Sequence, residues 1–200
     1  MTSRRVAWRR SDEVLADEVC TLSVRPSGLS LVGTVLGAEG GLPVRIEYQV
    51  QTDASGFTTA VHVRDLRGFE KRSIALVRDG KGRWTVDGVA ARALSGCSDI
   101  DLGCSPSTNT LPIRRLRLAA GTSHAIKAAW IRFPGLTVEK ATQTYSRLDE
   151  LTYHYASGTF EADLTVDDDG LVASYAEWRR TGVAFGPDAA EPLDAHRGER

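Results

Sequence analysis

The feature that most constrains the fold is a strict alternation of apolar and polar residues along much of the chain. The apolar positions of the two clearest stretches are Leu42, Val44, Ile46, Tyr48, Val50, Phe160, Ala162, Leu164 and Val166. A period of two residues is typical of antiparallel strands with one buried face. We predict that all of these except Tyr48 and Ala162 are buried on one sheet face. Phe160→Ala should then cost about 3–5 kcal/mol.

Glycine-rich and aspartate-rich turns separate such runs about every 8 to 12 residues, which is typical of an all-β sandwich, barrel or roll. The predicted strands are 5–10, 18–25, 29–37, 42–52, 57–66, 71–79, 82–87, 123–133, 136–147, 150–157, 159–167 and 171–180. Only two short helices are expected, over 111–118, capped by Thr108 or Asn109, and around 88–94.

Several predicted strands carry apolar residues on both faces, for example Leu31 and Val35 on one side and Val32 and Leu36 on the other. So many strands with so few helices must form one sheet that curls on itself to cover these faces. The sequence therefore predicts a mainly β protein built on a single, highly curved antiparallel sheet with no parallel βαβ unit. Such a sheet either encloses an apolar cavity or has a filled core.

Composition narrows the class of protein. A length of 200 residues suits one domain, which we place at 1–185, and a charged, proline-containing tail at 186–200 is expected to be disordered. The net charge of −1 offers no field for nucleic acid, and no run of about 18 apolar residues could span a bilayer. Three cysteines without Cys-x-x-Cys spacing favour reduced thiols, although Cys97 and Cys104 could pair under oxidation. We expect a soluble, cytoplasmic protein of undetermined oligomeric state.

The alternation stops between residues 96 and 118, where the sequence reads GCSDIDLGCSPSTNTLPIRRLRL. Loops on a rigid scaffold carry binding and catalytic residues disproportionately often, so this central block is where we expect the functional site. Asp99 and Asp101 would point the same way in an extended segment, where they could accept ligand hydroxyls, coordinate a metal, exchange protons or cap backbone amides. Arg114 and Arg115 could clamp an anionic headgroup, or one of them could form an internal salt bridge with these carboxylates, which we favour.

For the other candidate ligand-binding residues we favour structural roles over ligand binding. Asn109 and Thr110 could bind a ligand or cap the following helix. The aromatic residues of the later strands could pack in the core or line an amphiphile site; they are Trp84, Trp130, Tyr145, Tyr153, Tyr155, Tyr175 and Trp178. The first five of these are our candidate ligand-binding aromatics. The four histidines share no metal-ligand spacing, and the phosphate, dinucleotide and hydrolase motifs are absent from the sequence. We expect no metal and no cofactor.

The second half of the chain resembles a bacterial domain family, the putative glycolipid-binding family. The resemblance runs through Trp84 to Gly88, Gly96 to Leu102 and Ser105 to Leu116, and it resumes in short motifs at Gln143–Tyr145, Tyr153–Tyr155, Phe160–Ala162 and 166–175. The N-terminal third is similar mainly at Trp8-Arg9-Arg10. The resemblance implies a spiral β-roll, similar in shape to the half-open sheets of lipoprotein and glycolipid carriers.

Together these observations favour a non-catalytic binding protein that holds a glycolipid or another lipid-like metabolite in an apolar groove, with the central block at its mouth. The partner would be a small amphiphile, with neither nucleic acid nor an integral membrane association. Two alternatives remain open. One is a small-molecule enzyme that uses Asp99, Asp101, Arg114 and Arg115 in a barrel-end pocket, and the other is a protein-interaction module with an open sheet edge.

Overall fold

The computed structural model describes residues 2–12, 16–67, 69 and 71–186. Its strands in the first half are β1 Thr2–Arg10, β2 Ala16–Arg25, β3 Gly28–Glu39, β4 Leu42–Thr52, β5 Thr58–Asp65, β6 Arg72–Arg78, β7 Trp84–Val86 and β8 Val89–Ala90. Those in the second half are β9 Asp99–Leu102, β10 Ser123–Arg132, β11 Thr137–Arg147, β12 Thr152–Ser157, β13 Phe160–Val166, β14 Val172–Tyr175 and β15 Trp178–Gly186. The helical segments are two 3₁₀ turns, Arg92–Leu94 and Ser107–Asn109, and one α-helix, α1, Thr110–Leu116.

All of these strands belong to one sheet, which confirms the predicted all-β fold with a single curled sheet. Its order is β8-β7-β6-β5-β4-β3-β2-β1-β15-β14-β13-β12-β11-β10-β9, so that β1 and β15 join the two halves side by side. The sheet curls without closing into a barrel. Its two ends approach each other where Thr58 N donates to the Ser98 carbonyl at 3.1 Å and Trp84 Nε1 donates to the Cys97 carbonyl at 3.0 Å.

One strand pair departs from the antiparallel pattern. β9 pairs in parallel with β10, and α1 lies between them in the chain. The prediction that the chain contains no parallel βαβ unit is therefore wrong at this place. Sequence periodicity could not reveal it, because β9 is only four residues long and is placed by its partner strand.

The central block runs along the inside of the curl and fills it. Cys97, Ile100, Leu102 and Leu111 of the block belong to the same buried apolar cluster as inward-facing residues of β1 to β6. A smaller cluster, with Tyr153, Tyr155 and Leu164 among its members, lies on the other side of α1 and includes Ile113 of that helix. The sequence left open whether the curled sheet encloses an apolar cavity or has a filled core. In this part of the roll the core is filled.

The prediction that these alternating residues are buried on one sheet face is confirmed for the later residues of β4 and β13 and wrong for the first residue of each strand. Ile46, Val50, Leu164 and Val166 are buried, and Val44 is half-buried. Leu42 is 54% exposed and Phe160 is 46% exposed. Each of the last two is the first residue of its strand and follows a glycine-containing turn, so it lies at the margin of the sheet.

The predicted strand 171–180 is two strands. β14 and β15 are joined at Ala176, whose φ of 46° allows the chain to reverse. A non-glycine residue is uncommon in this conformation, so the sequence carries no turn signal here. The helix candidate around 88–94 is likewise wrong in part, since it contains β8 and a single 3₁₀ turn. Apart from Gly186, the tail predicted to be disordered lies outside the described residues.

Candidate functional site

Asp99 and Arg115 form a buried ion pair that fixes the central block. Arg115 Nη2 lies 2.6 Å from Asp99 Oδ2 and its Nε lies 3.3 Å from Oδ1, with the two side chains 12% and 1% exposed. Ser98 Oγ donates to the same carboxylate at 2.5 Å, and the guanidinium stacks 5.1 Å from the centre of the Phe57 ring. The predicted internal salt bridge is confirmed for this pair, which ties β9 to α1.

Asp101, two residues along β9, makes different contacts. Gln143 Nε2 of β11 donates to Asp101 Oδ2 at 2.6 Å. Burial raises the pKa of Asp101 to about 6, against the opposing effect of the Gln143 hydrogen bond. The group is thus a carboxylate at neutral pH and lies on a cavity wall.

That cavity, the central cleft, has a volume of about 490 Å³ and lies between β9, β10 and the strands β12 to β15. Its lining includes Asp101, Asn109, Trp130, Tyr155, Phe160 and Tyr175. Tyr155, Phe160 and Tyr175 contact one another edge to face, with ring centres 5.8 to 6.2 Å apart, and form an aromatic wall. Aromatic rings beside polar side chains present apolar area together with hydrogen-bonding groups.

Ser105 lines the cleft and connects it to a buried polar network. Its hydroxyl donates to Glu18 Oε1 at 2.7 Å and lies 2.7 Å from Ser107 Oγ. Tyr48 donates to the same Glu18 oxygen, and its hydroxyl lies 2.8 Å from Ser107 Oγ. Within the described part of the chain, Oε2 of Glu18 has no hydrogen-bond partner. Burial raises the pKa of Glu18 to about 7, against the opposing effect of the hydrogen bonds from Tyr48, Ser105 and Ser107, so this carboxyl is partly protonated at neutral pH.

Charged side chains at the cleft are predominantly acidic. Arg10 is held by Asp12, with Nε to Oδ1 at 2.8 Å and Nη2 to Oδ2 at 2.5 Å. Asp101 and Glu177 add two more carboxylates to the lining. The described lining therefore carries three acidic groups against one guanidinium, and that guanidinium is already paired.

The remaining candidates lie elsewhere. Arg114 donates from Nη1 to the Asp169 carbonyl at 2.5 Å and, with Tyr153, lines a separate cavity of about 440 Å³. Trp84 is buried against the Cys97 carbonyl, and Tyr145 is buried with its hydroxyl donating to Asn109 Oδ1 at 2.7 Å. Thr110 is fully buried at the start of α1.

Asn109 and Thr108 do not cap α1 as predicted. Neither makes a side-chain capping bond, because the 3₁₀ turn Ser107–Asn109 runs directly into the helix. Thr108 Oγ1 instead accepts from Leu102 N at 3.3 Å, and Asn109 Nδ2 donates to the Pro106 carbonyl at 3.2 Å. These contacts fix the block and leave the Asn109 side chain at the cleft.

The structure thus brings together Asp101, Asn109, Trp130 and Tyr155 from the predicted set. It does not bring together the four residues of the enzyme alternative. Asp99 and Arg115 neutralise each other in the interior, Asp101 lies at the cleft, and Arg114 lies at the second cavity.

Sequence reasoning missed the residues that complete the cleft. Glu18 could have been recognised from the sequence. It alternates with Cys20 and Leu22 on the inward side of β2 and is therefore a carboxyl on an apolar face. Gln143, buried on β11, carried the weaker signal of an amide in a strand. Arg10 and Ser105 had none, because only the curl of the sheet places them beside β9.

Metal-ligand clusters, membrane-spanning helices and the state of the cysteines can be described for the structure as a whole. In the ranges given above for the structure, no group of three or more histidine, cysteine, aspartate or glutamate side chains is placed to hold a metal ion. Among those same residues, no helix has the length and apolar character needed to cross a membrane. All three cysteines are free thiols, Cys20 and Cys97 being buried and Cys104 partly buried.

Comparison with known proteins places the chain in a family. The model of the family described as "Putative glycolipid-binding" matches residues 5–180. The chain is also similar to a DUF1089 family protein from Pseudomonas aeruginosa, known from a crystal structure, with 35% sequence identity and a TM-score of 0.73. That similarity covers 84% of this chain and 91% of the other. A search of curated proteins found no match. The chain belongs to the putative glycolipid-binding family.

Proposed function

We propose that this protein is a non-catalytic binding protein that holds the uncharged, hydroxyl-bearing headgroup of an amphiphile such as a glycolipid in the central cleft. The observation that carries the proposal is the meeting of Asp101, Asn109 and an aromatic wall in one cavity of about 490 Å³. Cavities of roughly 300–1,000 Å³ with a few convergent polar groups are typical of small-molecule sites.

The hydrogen-bonding groups suit hydroxyls. One oxygen of Asp101 is used by Gln143, while a carboxylate can accept several hydrogen bonds in all. An asparagine amide has two N–H donors, of which Asn109 gives one to the Pro106 carbonyl. A sugar ring needs acceptors and donors of this kind together with an apolar surface, and the rings of Tyr155, Phe160 and Tyr175 offer that surface.

The charge of the lining argues against an anionic headgroup. Phosphate or carboxylate would meet Asp12, Asp101 and Glu177, while the one guanidinium, Arg10, is engaged by Asp12. Like charges close together in a poorly solvated site repel strongly. Because the central block fills the core beneath it, we place the ligand in this cleft rather than in a deep apolar groove of the roll.

The proposal is tested by titrating the protein with octyl β-glucoside and with octyl phosphate below their critical micelle concentrations, followed by tryptophan fluorescence at pH 7.5. We expect saturable binding of the glucoside and weaker binding of the phosphate. Asp101→Asn should weaken glucoside binding by about 10- to 100-fold, the effect of losing a hydrogen bond to a charged group. Asp163→Asn, on the exposed surface of β13, is the matched control and should bind as the unchanged protein does.

Three results would contradict the proposal. They are tighter binding of octyl phosphate than of the glucoside, equal glucoside affinities for Asp101→Asn and the unchanged protein, and no glucoside binding at all. Release of free glucose during incubation, measured by mass spectrometry and abolished in Asp101→Asn, would instead favour a hydrolytic enzyme.

A further inference from the structure

A further cavity, the apolar pocket, adjoins the central cleft and is distinct from the cavity at Arg114. Its volume is about 230 Å³, and its apolar lining comes from β3, β4 and the far side of the roll, including Val35, Val44, Ile46 and Phe133. Arg10, Gly103 and Trp178 line both cavities. The central cleft and the apolar pocket are therefore neighbours that have three lining residues in common.

The two cavities differ in the kinds of side chain on their walls. The central cleft has Asp101, Asn109 and Ser105 on its walls, whereas the apolar pocket is closed mainly by aliphatic and aromatic side chains. The charged groups that line the pocket besides Arg10 are Glu39 and Arg67, which are paired with each other. A hydrocarbon chain entering the pocket would thus displace no unpaired charge.

We propose that the apolar pocket is the binding site for the hydrocarbon chain of the same ligand whose headgroup occupies the central cleft, and that it sets a limit on chain length. This inference rests on the proposed function of the cleft. A volume of about 230 Å³ has room for roughly eight groups the size of a water molecule in the liquid, at about 30 Å³ each. The pocket therefore takes a single chain of about eight carbons and no second chain.

The energetic consequence is a stepwise dependence of affinity on chain length. Each methylene group that leaves water strengthens binding about fourfold, as long as the pocket has room for it. Once the pocket is full, further methylenes remain in water and add nothing. Affinity should rise from butyl to octyl glucoside and then stay level for decyl glucoside.

The experiment is isothermal titration calorimetry with butyl, hexyl, octyl and decyl β-glucosides, all below their critical micelle concentrations. Val44→Phe places a larger side chain in the half-buried lining of the pocket, so its affinities should stop rising at a shorter chain while butyl glucoside binds as before. Val77→Phe is the matched control, because Val77 is 52% exposed on β6 and lines neither cavity. It should reproduce the full series of the unchanged protein.

A second measurement uses the unchanged protein and does not depend on how the variant folds. In spectra of methyl-labelled protein with octyl glucoside, the end of the alkyl chain should give nuclear Overhauser effects to methyl groups of Val35, Val44 and Ile46. The sugar protons should give them to the Trp130 indole. Equal affinities for all four glucosides, or chain contacts elsewhere on the surface, would overturn the apolar pocket as the chain site while leaving headgroup binding in the cleft intact. Failure of every glucoside to bind would overturn both.

Discussion

Replacing Glu18 by glutamine should make the protein more stable than the unchanged chain at pH 8 and should have little effect at pH 5. Glu18 is fully buried, and burial raises its pKa from an ordinary 4.5 to about 7, in spite of hydrogen bonds from Tyr48 and Ser105 that favour the carboxylate. Glutamine keeps an oxygen for both hydroxyls and resembles the protonated carboxyl.

The direction in which stability changes with pH depends on whether the folded or the unfolded chain holds the proton of Glu18. Below about pH 4.5 the carboxyl is protonated in both the folded and the unfolded chain, and Glu18 has no effect on stability through its charge. Between about pH 4.5 and 7 the unfolded chain releases the proton and the folded chain keeps it, so the free energy of unfolding falls as pH rises. Above pH 7 the folded chain holds a buried carboxylate. A shift from 4.5 to about 7 corresponds to about 3 kcal/mol, of which roughly 2.5 kcal/mol is lost between pH 5 and pH 8.

The assay is urea-induced unfolding followed by tryptophan fluorescence at pH 5, 6, 7 and 8, with the free energy extrapolated to water. The stability difference between Glu18→Gln and the unchanged chain should grow by about 2.5 kcal/mol from pH 5 to pH 8. Asp101→Asn is an internal control, since burial raises the pKa of Asp101 from 3.8 to about 6 and its effect is complete at a lower pH. Parallel pH profiles for Glu18→Gln and the unchanged chain would refute the argument that Glu18 is protonated by burial.

Three further substitutions test the packing, each by the same urea assay. Arg115→Ala leaves the Asp99 carboxylate buried without its partner and should cost about 3–5 kcal/mol; a loss below 1 kcal/mol would mean that water reaches this pair. Gly33→Ala should cost about 1–3 kcal/mol, because a Cβ there would lie 2.3 Å from the Tyr48 ring, and an unchanged midpoint would show that the ring can move aside. Phe160→Ala should cost only about 1 kcal/mol, from lost edge-to-face contacts of a half-exposed ring; a loss of 3 kcal/mol would restore the fully buried position expected from alternation.

The strands were predictable where local chemistry decides them. The predicted strand 42–52 coincides with β4 because one glycine pair and an Asp-x-x-Gly turn bound an alternating run. The division between β14 and β15 was not predictable, because it depends on the left-handed conformation of Ala176, which the surrounding sheet imposes. β9 was missed for a similar reason, since its pairing with β10 is non-local.

At the candidate site, too, the sequence could not predict contacts that depend on how distant segments pack together. Residues 114 and 115 are both arginines, but successive residues of a helix point about 100° apart. In consequence Arg115 meets Asp99 inside the roll while Arg114 meets Asp169 on the other side of α1. The sequence could predict that one arginine would pair with an aspartate of the block. It could not predict which one, because this depends on how α1 is rotated against the sheet.

The acidic groups at the cleft bear on what the cleft is for. Asp101, and Glu18 behind Ser105, both have pKa values raised by burial, so each makes the folded chain less stable at neutral pH than a neutral residue of the same shape would. Asp99, by contrast, has a guanidinium partner in the same block. A carboxyl that reduces stability and lies on a cavity wall beside aromatic rings, as Asp101 does, is characteristic of binding sites, where local rules of packing are broken for the sake of a ligand. The difference between the two aspartates therefore separates the block into a part that holds the roll together and a part that faces the cleft, and only substitutions of the second part should change ligand affinity without loss of stability.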